Sequence, residues 1–222
     1  MKRNLLTLSF VAAAFLLNLV ARAQPSAVYS FDKIISVPGD GGYDYLSIDE
    51  VNRHLFVSHG TSVNVIDLKT EQVIGSIDNM KGVHGIAVDN ELNKGFITDG
   101  RDNSVVVFDL TTFKTIATIP VTPKGPDGIM FDPFSKRIFA FCGNGNAASV
   151  IDVKDLKEIG TVDLGGGPEF AVPDGKGIIY NNLEDKNSLD VIDANTMKVL
   201  RNYPLSPCGG PTGLALDLPD NR

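Results

Sequence analysis

The chain contains no tryptophan, two cysteines and three histidines, and its basic residues are outnumbered, 20 against 27 acidic ones. Each shortage excludes something. Two thiols, Cys142 and Cys208, make neither a disulfide framework nor a four-thiolate zinc site. The simplest assignment is one buried thiol and one loop thiol. A net charge of −7 repels phosphate backbones and anionic lipid headgroups, so nucleic acid is not an expected partner. No 3.6-residue apolar periodicity is visible, which argues against helical solenoids. GxSxG, HExxH, Walker A and CxxCH motifs are all missing, so no nucleophilic or haem-based mechanism has residues to carry it. The run Gly143-Asn144-Gly145-Asn146-Ala147-Ala148 imitates a dinucleotide fingerprint. It leads into a β-rich stretch, so no helix N-terminus waits for a pyrophosphate.

What is present begins with a leader. Lys2 and Arg3 precede an apolar stretch from Leu5 to Val20, and Ala21-Arg22-Ala23 forms a small-x-small cleavage site. Residues 1–23 therefore read as a secretory signal cut after Ala23, placing the mature chain in the periplasm or outside the cell. The apolar stretch is short for a membrane span and is interrupted by Asn18. Removing three basic residues and no acid takes the net charge from −7 to −10.

Residues 24–222 repeat. An apolar-apolar-Asp element recurs at Val65-Ile66-Asp67, Val107-Phe108-Asp109, Val150-Ile151-Asp152 and Val191-Ile192-Asp193, at spacings of 42, 43 and 41 residues. A second register runs in step through Asp49, Asp89, Asp132 and Asp217, with Asp174 displaced by one place. In the second unit four short β-rich runs, Gly85–Val88, Gly95–Thr98, Ser104–Asp109 and Thr115–Val121, alternate with turn-forming pieces. Four strands in 40–45 residues is the arithmetic of a β-propeller blade. The fold class is accordingly all-β, with repeats at about 45–81, 85–124, 128–166 and 169–207 and a fifth beginning at 213. The repeated aspartates are expected to accept hydrogen bonds from turn N–H groups, a structural duty.

Several segments resemble the bacterial YncE-like group of YVTN-type (WD40-like) β-propeller repeat proteins. They are Gly42-Tyr43-Asp44-Tyr45-Leu46, Gly82-Val83-His84-Gly85-Ile86-Ala87, Gly100-Arg101-Asp102-Asn103-Ser104-Val105, Pro126-Asp127-Gly128-Ile129, Pro168-Glu169-Phe170-Ala171 and Pro211-Thr212-Gly213-Leu214. The resemblance implies an exported, seven-bladed propeller, in a group most of whose members have no assigned reaction. At about 42 residues per blade the mature chain supplies about 4.7 blades. The expectation is thus four complete blades and part of a fifth, a C-terminally truncated record of a longer ring that is monomeric when full length. Residues 29–37 read as one further strand.

In such a ring the residues just before each innermost strand share one mouth of the central channel. They are Asp44, His84, Asp127, Glu169 and Thr212, separated by 40, 43, 42 and 43 residues. The loops between second and third strands reach the same face with His59, Arg101, Asp102, Asn144, Asn146, Glu184, Asp185 and Lys186. Asp44, His59, His84, Arg101, Asp127, Glu169 and Glu184 are the ligand-binding candidates, and Asp44, His84, Asp127 and Glu169 the metal-ligating ones. Carboxylates with one imidazole suit a divalent cation such as Ca²⁺, Mn²⁺ or Zn²⁺. The plainer alternative leaves these side chains solvated around a wet channel. Three functions compete: a platform binding a small ligand or an exported protein, a metal-assisted hydrolase or lactonase at the mouth, and a partner of an exported redox enzyme. The absence of a catalytic set favours the first.

Overall fold

The computed structural model describes residues 29–218, so the leader read at 1–23 lies outside the described residues. Sixteen strands and one 3₁₀ turn (Gly143–Gly145) follow in chain order. The first sheet holds β1 (Tyr43–Asp49), β2 (His54–His59), β3 (Ser62–Asp67) and β4 (Gln72–Ile77); the second β5 (Val83–Asp89), β6 (Lys94–Asp99), β7 (Ser104–Asp109) and β8 (Thr115–Pro120). The third holds β9 (Pro126–Asp132), β10 (Arg137–Cys142), β11 (Ala147–Asp152) and β12 (Lys157–Asp163); the fourth β13 (Pro168–Pro173), β14 (Ile178–Leu183), β15 (Ser188–Asp193) and β16 (Lys198–Pro204). Each sheet is a four-stranded antiparallel meander. The first strands pack in succession, β1 on β5, β5 on β9 and β9 on β13. Four blades therefore turn about a common axis with their first strands innermost.

Local turn chemistry makes these meanders. The third-to-fourth-strand turns each hang on one carboxylate oxygen: Asp67 accepts from the Lys69 and Thr70 amides, Asp109 from Thr111 and Thr112, Asp152 from Lys154 and Asp155, and Asp193 from Asn195 and Thr196. Asp49 and Asp89 do the same for the first hairpin of their blades, and Asp132 does so with both its oxygens. The residue type chosen by the repeat is the one whose side chain replaces a missing backbone acceptor.

Seams between blades form three apolar cores. In the first, the Phe56 and Phe108 rings meet edge to face at 5.4 Å. The outer part of each seam pairs a large residue with a small one. Phe113, Leu156 and Met197 end their turns with left-handed backbone (φ 59°, 53° and 56°). Phe113 and Met197 reach Gly75 and Gly160 of the preceding blade, where a Cβ would lie 2.7 and 3.2 Å from their side chains. Leu156 packs in the same core as Ala117, which holds the position equivalent to Gly75 and Gly160 in the register.

Two sequence expectations differ from the structure. Residues 29–37 form no strand, and neither do residues 211–218. No ladder for either is present among the described residues, and a β-run without one has no backbone partners to hold it extended. Residues 29–34 fall outside the compact unit, which begins at Ile35. Cys142 is buried, which pushes its thiol up to about 12, and Cys208 is exposed; both are free.

Phe108 is fully buried in the first seam, so Phe108→Ala should lower the unfolding free energy by about 3–5 kcal/mol in a urea titration. A pH series provides a second check. Backbone N–H groups of Thr70, Thr112 and Thr196 hold Asp67, Asp109 and Asp193 below the usual carboxylate range. Their contribution is complete above the unfolded pKa and is lost as pH falls through the depressed folded values. Tm should therefore drop on acidification below the ordinary aspartate range, and Asp67→Asn should flatten part of that drop.

Candidate functional site at the channel mouth

Each innermost strand carries one residue too many at the same place. Between Tyr43 and Leu46, Val83 and Ile86, Pro126 and Ile129, and Pro168 and Ala171, three steps on the first strand face two on the second. These are β-bulges, which re-aim side chains at the rims of sheets. The bulged pairs are Asp44-Tyr45, His84-Gly85, Asp127-Gly128 and Glu169-Phe170. Period and bulge together put one ionisable group per blade at the axis.

The second residue of each bulge sets how closely neighbouring strands approach. A Cβ on Gly85 would lie 2.8 Å from the Asp127 carbonyl oxygen, and one on Gly128 only 2.5 Å from that of Glu169. Tyr45 and Phe170 hold this place in the first and fourth blades and stack on each other, ring centroids 5.7 Å apart. Thr98 pins the geometry from β6: its hydroxyl accepts from the Gly85 amide at 2.8 Å and reaches the Asp127 carbonyl at 2.5 Å. Gly100 leaves room for the His84 ring. The approach loop before His84 is held by Asp99, whose two carboxylate oxygens accept from the Lys81 and Gly82 amides.

His84 Nδ1 lies 2.7 Å from Asp44 Oδ2 and 3.8 Å from Asp127 Oδ1. One ligating atom from each of Asp44, His84 and Asp127 falls within 4.8 Å of the others. The three side chains are 42, 32 and 36% exposed, so the group is open to solvent on one side. Burial raises the Asp127 carboxyl above its usual range; the His84 ring pulls it down and Asp44 pushes it further up. Burial also raises Glu169, with Asp127, Glu184 and Asp44 adding repulsion against the opposing pull of His84. Three carboxylates around one imidazole thus leave an excess of negative charge.

The sequence candidates divide accordingly. Asp44, His84 and Asp127 converge. Glu169 lies outside that 4.8 Å group and acts through its charge, as does exposed Glu184. Arg101 is exposed, its stem lying over Gly82. Thr212 is exposed in chain that forms no strand. Asp102 is paired with Lys81, and Asp185 accepts from the Gly167 amide.

His59 corrects the expectation of an exposed loop histidine. It is 3% exposed, covered by the Tyr43 ring stacked at 4.2 Å and by Gly39, whose Cα sits against the imidazole. The glycine-rich run 39–42 folds back over the end of β2, with the Gly60 amide donating to the Gly42 carbonyl. His54 is half-buried and meets the Phe56 and Phe113 rings edge-on. Tyr45 was absent from the candidates. Its hydroxyl donates to the Glu169 carbonyl at 3.4 Å and is raised above its usual range by burial and by Asp127, Glu169 and Asp44. A second tyrosine beside Asp44, where the second and third blades carry glycine, is the available signal.

Among solved structures the chain is similar to Kuenenia stuttgartiensis hydrazine synthase, with a TM-score of 0.68 and 24% identity over 78% of this chain and 52% of that one. It is also similar to the β-propeller domain of Myceliophteria thermophila Cps50 (Swd1), with a TM-score of 0.68 and 15% identity over 84% of this chain and 62% of that one. The fold is a β-propeller. At these identities the likeness is one of architecture. The chain spans 52–62% of the length of those two structures. No family model and no curated protein matches the sequence.

Asp127 gives the sign of a pH test. A carboxyl whose folded pKa is raised loses stability as pH rises from its unfolded to its folded value, and the penalty persists above. Asp127→Asn should therefore raise Tm at neutral pH, and the gain should vanish in acid where the native carboxyl is protonated. Thermal melts across the acid range check this.

Proposed function

We propose that this chain is an exported β-propeller protein of the YncE-like, YVTN-repeat kind. It serves as a binding platform whose site is the channel mouth. The observation that carries the reading is the convergence of Asp44, His84 and Asp127 on three successive bulges, with their ligating atoms within 4.8 Å. Export rests on the leader pattern at residues 1–23, and the acidic charge disfavours nucleic acid as a partner. The ligand is a small cationic species or an exported protein presenting one, and a divalent cation is the simplest case. Two carboxylates and one imidazole nitrogen suit Mn²⁺ or Zn²⁺ better than Ca²⁺, which seeks six to eight oxygens.

A second reading, a metal-assisted hydrolase or lactonase, is favoured by one feature. Asp44 and His84 would hold a cation able to polarise water, and the raised Asp127 carboxyl beside them would serve as general base. Calorimetric titration tests the first reading. Mn²⁺ or Zn²⁺ should bind at one site, and Asp127→Asn or His84→Gln should weaken it by about tenfold or more, roughly 1.4 kcal/mol. Absence of binding, or equal binding by the variants, would overturn it. Ester or lactone turnover that needs both residues and added cation would select the second reading over the first.

A further inference from the structure

Blades three and four border a second recess, wide open to solvent, with mixed polar and apolar walls. It opens on the face that carries the mouth, because Pro168 pairs with Leu183 at that end of the fourth sheet and the recess borders Leu183, Lys186 and Ser188. It lies farther out, toward β15 and β16, with a volume of about 510 Å³. Leu164, Leu183 and Val199 supply apolar wall, Asp190 and Asn202 the polar floor, and Lys186 the lip.

The floor is short of hydrogen-bond donors. Asp190 is 1% exposed and its cross-strand neighbour Asn181 is fully buried. Asn202 Nδ2 donates to Asp190 Oδ1 at 2.7 Å and to Ser188 Oγ at 2.9 Å. Asp190 Oδ2 and Asn181 Oδ1, both acceptors, have no partner. The equivalent cross-strand pairs in the other blades are Val57–Asn64, Ile97–Val106 and Ala140–Ser149. Among the described residues only the fourth blade places a carboxylate there. An unpaired buried carboxylate is costly, and evolution of a seam normally removes it unless something compensates the charge. Lys186 does not compensate it, being paired with Asp185 at 3.1 Å. Burial holds the Asp190 carboxyl above its usual range, with the Asn202 hydrogen bond pulling it back.

We infer that this recess binds a small protonated amine. Its ammonium sits against Asp190 in place of the Asn202 amide, and its hydrocarbon lies along Leu164, Leu183 and Val199. An ammonium replaces the N–H donors of the amide and adds the positive charge that the floor lacks. Asn202 is exposed, and its amide exchanges its bonds to Asp190 and Ser188 for water as the amine enters.

The probe is n-butylammonium chloride, followed by NMR shifts of the Gly165 and Ser188 amides and by calorimetry. The expected result is saturable binding that Asp190→Asn, which keeps shape and removes the charge, weakens by at least about tenfold. Asp127→Asn should leave this binding unchanged, which separates it from the mouth. No saturable shift in the folded protein would overturn the inference. So would equal binding by Asp190→Asn, equal binding of n-butanol, or loss of binding in Asp127→Asn.

Discussion

The extra residue in each innermost strand, and the close approach of neighbouring backbones that surrounds it, is the constraint on which the mouth depends. A regular strand alternates its side chains strictly between two faces. Asp44, His84, Asp127 and Glu169 would then point into a seam or back into their own blade's surface. The bulge breaks alternation once per blade and turns the residue toward the axis. Gly85 and Gly128 are then required because the next blade's carbonyl occupies the place of a Cβ. Tyr45 and Phe170 close the same level by stacking. Geometry at the axis and chemistry at the axis have one cause.

Stability comes from elsewhere. The seams bury phenylalanines, and outer contacts mate Phe113 and Met197 with glycines 75 and 160. Asp67 and Asp109 in the turns are held ionised by backbone N–H groups, while Asp127, Glu169 and Asp190 sit above their usual range through burial. The first group favours folding at neutral pH and the second opposes it. A protein that keeps repelling carboxyls together at one rim gives up stability there, as functional sites commonly do.

The blade plan was legible because its signals are local. An aspartate that caps a turn two residues on advertises itself in sequence, and its recurrence at Asp67, Asp109, Asp152 and Asp193 sets the period. That period alone aligned Asp44, His84 and Asp127. What could not be read depends on pairing between distant segments. The bulges appear only in register, although Gly85 and Gly128 mark two of them. His59 looked exposed because the fold-back of residues 39–42 is a tertiary event. Tyr45 was overlooked because its partner, Phe170, lies 125 residues away. The strand read at 29–37 had the right composition and no ladder to join.

The bulges hold His84 against Asp44 through Nδ1. A carboxylate only accepts, so the neutral ring must carry its proton on Nδ1 and leave Nε2 bare. Long-range ¹H–¹⁵N correlation spectra of the neutral histidines, recorded without added cation, report that tautomer directly. His84 should show an Nδ1–H imidazole that reverts toward Nε2–H in Asp44→Asn. An Nε2–H ring in the unaltered protein, unchanged by that substitution, would contradict it.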